Sequence, residues 1–282
     1  MSTANNASAE FVARTDTGMV RQHNEDSVAF SAEVGLAILA DGMGGYNAGE
    51  VASTIATNLV LLCIEQQLRS MHREIDSPAD GRIHQTIVEA IQIANLSILE
   101  AAHKEPAYNG MGTTLVLALL HDDHITLAHV GDSRAYRLRR GQLQQITRDH
   151  SVLQEQIDAG LISAESAQFA PNKNLITRAV GVDFQIEIEI HDHQIEPDDI
   201  YLLCSDGLSD MLLDEEMRDI LLRHESNPDS ALETTCEILI DQANANGGQD
   251  NISAILIKVE SKVQSDNIPK NGLIKRIFNW TK

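Results

Sequence analysis

The chain has 282 residues, 43% of them hydrophobic, with 21 basic against 42 acidic side chains and a formal net charge of −21. That balance excludes a nucleic-acid partner gripped by Lys/Arg contacts to phosphate, and it excludes general attraction to anionic membranes. The hydrophobic share supports a real core, in one large domain or two small ones.

Met1 to Ala9 is small and polar and lacks the apolar centre of a signal peptide, so residues 1–9 read as a disordered N-terminus ahead of a domain over 10–260. Phe11 to Ala13 and Ser27 to Phe30 read as strands, and Val34 to Ala40 as a third, more buried one. That run drives into Leu39-Ala-Asp-Gly-Met-Gly-Gly45, a buried strand that stops at an acid, a tight turn, and a helix start. Asn47 and Glu50 are placed to cap a helix from Ala48 to Ser70, with Val51, Ile55, Leu59 and Leu62 on one face. A polar linker, Met71 to Asp80, leads to a second helix over Arg82 to Lys104, striped by Ile83, Ile87, Ala90, Ile91, Ala94 and Ile98.

Short strands with turn signals follow: Thr113 to Leu120, Ile125 to Val130, Ala135 to Leu138 and Gln142 to Ile146. Thr147 to Gly181 (147–181) is polar, with Gly160, Pro171 and one helical piece near Val152 to Ala159, and reads as an insertion or flap over the body. Ile186, Ile188 and Ile190 alternate with Gln185, Glu187 and Glu189, the mark of a half-buried strand. Ile200 to Cys204 is a buried strand, helices are expected over Asp214 to Arg223 and Asp229 to Ala245, and Ile252 to Val259 closes the sheet. The pattern predicts an α+β domain of antiparallel sheets with helices covering the outside.

The cysteines, Cys63, Cys204 and Cys236, sit apart in apolar runs without CxxC spacing, which predicts buried thiols, not a zinc site or disulfides, and fits a reducing cytoplasm. No run approaches the roughly 18 apolar residues of a membrane span, so no transmembrane segment is expected.

Five acidic stretches share one habit, an Asp beside Gly or Asn at a strand end: Asn24-Glu-Asp26, Asp41-Gly42, Gly131-Asp-Ser-Arg134, Ser205-Asp-Gly207 and Gly247-Gly-Gln-Asp-Asn251. Strand ends of one sandwich lie along one rim, so these acids can converge, where they would repel unless cations compensate them. No His or Cys stands with them in ligand spacing, and oxygen donors point to Mg²⁺ or Mn²⁺. Two such ions about 3.5–4 Å apart can share a water and lower its pKa from about 15.7 toward about 7, which suits in-line hydrolysis of a phosphate ester. Arg21, just before Asn24, can hold phosphate oxygens bidentately, or form a surface ion pair. Arg134 reads as a brace for its turn. Read separately, the five stretches would be only turn and capping residues.

With these motifs in place, the chain resembles the bacterial-type metal-dependent protein serine/threonine phosphatases, the protein phosphatase 2C or PPM family, from about Phe11 to Val259. The motifs are Thr15-Asp-Thr-Gly-Met-Val-Arg-Gln-His-Asn-Glu-Asp26, Asp41-Gly-Met-Gly-Gly45, Gly110-Met-Gly-Thr-Thr114, Gly131-Asp-Ser-Arg134, Ser205-Asp-Gly207 and Asp250-Asn251. The resemblance implies a four-layer α-β-β-α sandwich with a mobile flap near the metals. It implies hydrolysis of phosphoserine and phosphothreonine in proteins by a metal-bridging hydroxide. By position it implies that Asp41 bridges both metals, that Asp206 and Asp250 hold one, and that the Gly42 carbonyl binds the other. Asp26 would act largely through water with Glu25 beside it and Asn251 in support, and Asp132 with Asp206 would hold a third, weaker ion. Arg21 would grip the substrate phosphate. Met43 stands where many eukaryotic members place a His as general acid, so the leaving group needs another proton source. His23 and His150 are candidate donors, each also readable as structural.

The implied partners are phosphorylated proteins, substrates of a serine/threonine kinase, met by a cytoplasmic monomer. A phosphoprotein-binding module without turnover and a haloacid-dehalogenase-type phosphatase are the competing readings. The second needs an acid two residues after Asp41, where Met43 stands. Residues 261–282 form a basic tail: Lys270, Lys275, Arg276 and Lys282 stand among Leu273, Ile274, Ile277, Phe278 and Trp280. It reads as a frayed end or as an amphipathic segment suited to dock on a partner, the acidic body or a membrane surface.

Overall fold

The computed structural model describes residues 8–45, 47–71, 80–163, 175–226 and 231–260. One sheet runs β1 (Ala9–Asp16), β11 (Ile252–Val259), β10 (Ile200–Cys204), β7 (Arg134–Arg139), β8 (Gln142–Gln145). The other runs β2 (Asp26–Ser31), β3 (Leu36–Met43), β5 (Leu115–His121), β6 (His124–Val130), β9 (Glu189–Gln194), with the short β4 (Gly112–Thr113) on the end of β3. All pairings are antiparallel. Helices α1 (Ala48–Met71) and α2 (Asp80–Lys104) cover the second sheet. Helices α5 (Asp214–Ser226) and α6 (Leu232–Ala245) cover the first, after the short α3 (Val152–Asp158) and α4 (Asp206–Ser209). This is the α-β-β-α sandwich the resemblance implied.

Strand β3 shows why the layers stack. Leu36 to Ala40 are all fully buried, so the strand is apolar on both faces. Leu36, Ile38 and Ala40 turn to the helices, while Ala37 and Leu39, with Val116 of the neighbouring β5, turn to the opposite sheet, where Tyr201, Leu203, Ile255 and Ile257 meet them. A full burial of each Leu or Ile is worth about 1.5–3 kcal/mol. Ala52, Ala56, Val60 and Ile64 recur at four-residue spacing on the buried face of α1. By length and composition α1 is the one described helix that could cross a membrane. Here it is a core layer, packed on β2, β3 and α2.

Several boundaries differ from the sequence reading. Ala9 is not part of a disordered end: it opens β1, paired with Val259. The strand expected over Thr113 to Leu120 breaks at Thr114, so that Gly112 and Thr113 pair with Met43 and Gly42 while Leu115 onward pairs with β6. The strand expected at Ile186 to Ile190 begins only at Glu189 and continues to Gln194. Ile186, Ile188 and Ile190 do pack on the helix-side core. Their alternation marked a buried side correctly, but Glu189 pairs with His129, one residue from the end of β6, so earlier residues have no neighbour strand there. The last helix starts at Leu232. Of the linker expected over Met71 to Asp80, Met71 ends α1 and Asp80 opens α2, and residues 72–79 lie outside the described residues, as do 164–174 of the segment expected as a flap and the tail over 261–282.

Candidate metal centre

The acids arrive from strand ends, as their sequence habit suggested. Asp26 opens β2 and Asp41 lies opposite it near the end of β3. Asp132 sits in the turn between β6 and β7, Asp206 follows β10, and Asp250 precedes β11. A cleft of about 260 Å³ is lined by Arg21, Glu25, Asp41, Gly42, Met43, Gly44, Thr114, Asp132, Ile176, Asp206, Asp250 and Asn251. Residues spread over more than two hundred positions therefore share one rim. Asp26 lies beneath it, 8% exposed.

Their surroundings hold these side chains firmly. Asp41 donates its N–H to Thr114 Oγ1 (3.0 Å), and its carbonyl accepts from the Thr114 N–H and the Thr113 hydroxyl, both at 2.8 Å. Asn251 Oδ1 accepts the Glu25 N–H at 2.7 Å, while its Nδ2 donates to the carbonyls of Thr17 and His23 at 2.9 Å. Ser205 Oγ donates to Asp26 Oδ2 at 2.8 Å. The Glu25 carbonyl accepts from the Gly42 N–H (3.1 Å) and from Ser53 Oγ of α1 (2.6 Å). A methyl group on Gly42 would collide with the Gly49 carbonyl, and one on Gly49 would come within 2.8 Å of the Glu25 carboxylate. Two glycines thus let α1 seat directly on the strand that carries Asp41.

Electrostatically the rim is unbalanced. Burial, opposed by bonds from Ser253 and Ser205 and reinforced by Asp206 and Asp250, raises the Asp26 carboxyl to about 7. Asp132 is raised to about 7 by burial and then by Asp206 and Asp149. Asp41 is pushed well above the carboxylate range by burial and by Asp26, Asp206, Asp132 and Asp250. Glu25 is raised mainly by burial. Asp26 Oδ1 is buried with no hydrogen-bond partner. Crowded oxygens that repel each other, one of them unsatisfied, fit hard divalent cations.

Arg21 Nη2 donates to Asp250 Oδ2 at 2.6 Å from the open side of the cleft. Arg134 braces its turn as expected, gripping Asp149 through Nε and Nη2 at 2.7–3.1 Å. Met43 lines the cleft, and none of the described lining residues is a His or Lys. His150 lies buried in the segment after β8, and the His23 carbonyl accepts from Asn251 Nδ2. Thr114, Ser205 and Ile176 received no role in the sequence reading. Thr114 and Ser205 stood inside quoted motifs, but only the register shows what their hydroxyls touch.

The family model for protein phosphatase 2C matches residues 18–256. The chain belongs to that family. It is a metal-dependent protein phosphatase of the 2C type. It is 38% identical over 253 residues to the serine/threonine phosphatase stp of Listeria welshimeri, which covers 89% of this chain and 95% of the relative. The crystal structure of the Mycobacterium tuberculosis serine/threonine phosphatase PstP superposes with a TM-score of 0.78 at 36% identity, covering 90% of this chain and 99% of that one. A further structure, the catalytic domain of the phosphatase PstP in complex with 2 manganese ions, gives a TM-score of 0.76 at 36% identity, over 90% of this chain and 99% of that one. The phosphatase fold therefore accounts for nearly all the described residues.

Proposed function

We propose that this phosphatase hydrolyses phosphoserine and phosphothreonine in proteins with Mn²⁺ or Mg²⁺ held at the acid rim. The convergence of Asp41, Asp206 and Asp250, with Asp26 and Asp41 raised by burial and then by their acidic neighbours, carries the reading. Asp41 would bridge two ions, Asp206 and Asp250 would hold one, the Gly42 carbonyl the other, and Asp132 with Asp206 a third and weaker one. Bound there, the ions supply Lewis acidity, acidifying water and drawing charge from the phosphoryl group. Arg21 binds two phosphoryl oxygens with its planar guanidinium and turns the scissile bond into line. Asp26 and Glu25 hold ordered water through their carboxylates, and Asn251 fixes Glu25. Met43 has no proton to give, so solvent protonates the leaving alkoxide.

The cleft is open and polar, which suits an extended phosphosegment of a protein, the substrate of a serine/threonine kinase. We place the enzyme in the cytoplasm, as a monomer, with the basic tail of residues 261–282 docking on a partner or membrane surface. The test is manganese-dependent hydrolysis of a phosphothreonine peptide, abolished by Asp41→Asn while circular dichroism stays native. Turnover surviving that change would overturn the reading.

A further inference from the structure

One buried side chain ties the flap to the metal centre. His150 is 6% exposed. Its backbone N–H donates to the Gly131 carbonyl at 2.9 Å, and the Gly131 N–H donates back to its Nδ1 at 3.2 Å. Its carbonyl accepts the Thr177 N–H at 2.8 Å. Gly131 immediately precedes Asp132, at φ +103° with the Thr114 side chain 2.7 Å from where a Cβ would sit, so no other residue fits that turn. Thr177 immediately follows Ile176, which lines the cleft. His150 thus stands one residue away from the cleft on both sides.

The ring is fixed as well. Nδ1 faces the Gly131 N–H, and Nε2 lies 3.3 Å from Glu189 Oε2 and 3.2 Å from Arg178 Nη1. Glu189 Oε1 is held in turn by His191 Nε2 at 2.6 Å. The His150 ring stacks on His129, with centroids 4.5 Å apart and planes inclined by 21°. His129, His150 and Glu189 are near enough to one another to suggest an ion. Their geometry speaks against it. An imidazole holds an ion in its own plane, and two nearly parallel stacked planes share no such point. The lone pair of Nδ1 is also engaged by Gly131. The cluster is a clip, not a ligand set.

We propose that His150 is a positioning residue coupling the flap to Asp132, so that the seat of Ile176 in the cleft and the aim of the Asp132 carboxylate move together. This rests on the reading of Asp132 as a ligand of the weakest ion. The test uses the full chain with His150→Leu, which keeps bulk but accepts nothing, and His150→Asn, whose Oδ1 can replace Nδ1 toward Gly131. Mn²⁺ binding is followed by paramagnetic resonance of the free ion, without turnover, alongside kcat and KM for a phosphothreonine peptide.

His150→Leu is expected to weaken the weakest Mn²⁺ site by about tenfold, the scale of outer-shell changes, and to raise KM while the tighter sites titrate as before. His150→Asn is expected to recover most of the Mn²⁺ loss. In an Asp132→Asn background, His150→Leu should change the titration no further. A folded His150→Leu that binds Mn²⁺ like the parent overturns the coupling, as does a His150→Asn no better than the leucine. If Asp132→Asn alone leaves every Mn²⁺ site intact, the ligand assignment itself fails and the coupling falls with it. Should His150→Leu not fold, Glu189→Ala takes away the carboxylate that faces Nε2, together with its His191 contact, and keeps the ring itself. A raised KM in it supports the clip, and an unchanged KM overturns it.

Discussion

Strand β10 has an aspartate at each end, and the two are treated in opposite ways. Before the strand, Asp199 is 1% exposed and fully answered. Arg139 donates to Oδ1 at 2.7 Å through Nε and to Oδ2 at 2.6 Å through Nη2, and the Glu196 N–H adds a bond at 2.7 Å. After the strand, Asp206 joins Asp41, Asp132 and Asp250 around a cleft where Arg21 is the one described cationic side chain in the lining. The first end supplies its own countercharge, at the usual cost of desolvating a pair. The second end gathers like charges on one rim, an arrangement that divalent ions can balance. An acid at a strand end is therefore a structural device or a functional one according to the company it keeps.

The strongest way to break this contrast is at Asp41. Asp41→Asn should lower turnover by more than about 10²-fold, exceeding the loss typical of an outer-shell change. Because it also removes a repelled charge, it should raise the melting temperature of the metal-free domain, by about 2–4 °C for each kcal/mol relieved. Calorimetry in EDTA checks that sign. At the opposite end, Arg139→Leu strands the Asp199 charge and should cost about 3–5 kcal/mol in urea unfolding while turnover per folded molecule is kept. Equal effects of these two changes on activity would dissolve the distinction.

The pH dependence of stability sharpens the comparison further. Asp26 and Asp132 titrate near 7 in the folded state against an ordinary value of 3.8. Between those values the folded state holds more protons than the unfolded one. Stability from these groups is complete below about pH 4 and is lost as pH rises through about 7. Urea midpoints of the metal-free domain should therefore fall across that window, and saturating Mn²⁺ should flatten the fall. The smallest expected effect is at Arg21, whose replacement by Ala should reduce kcat/KM about ten- to hundredfold, as for loss of a charged hydrogen bond, with Mn²⁺ affinity little changed. Steady-state kinetics beside a Mn²⁺ titration separate the two.

Much of the rim was legible because each acidic stretch carries its own local signal: an Asp close to Gly or Asn, bordering an apolar run. Asp41, Asp206 and Asp250 could be matched to strand ends without knowing which strands pair. The Arg139–Asp199 pair could not be read this way, since its partners lie sixty residues apart and meet only through the β7–β10 register. The same holds for His150, whose reach to Gly131 and Glu189 depends on where the flap returns. Alternation at Ile186 to Ile190 told which side was buried but not whether a neighbouring strand existed. Local pattern reports burial and chain direction, while contact between distant segments is a property of topology.

The meeting of Gly42 and Gly49 sets backbone against backbone, with no side chain between to yield. A methyl group at either position would act as a wedge, lifting the outer helical layer off the strand beneath it. One wall of the reacting face is thereby dimensioned by the interior of the sandwich, where helix and strand meet without a spacer.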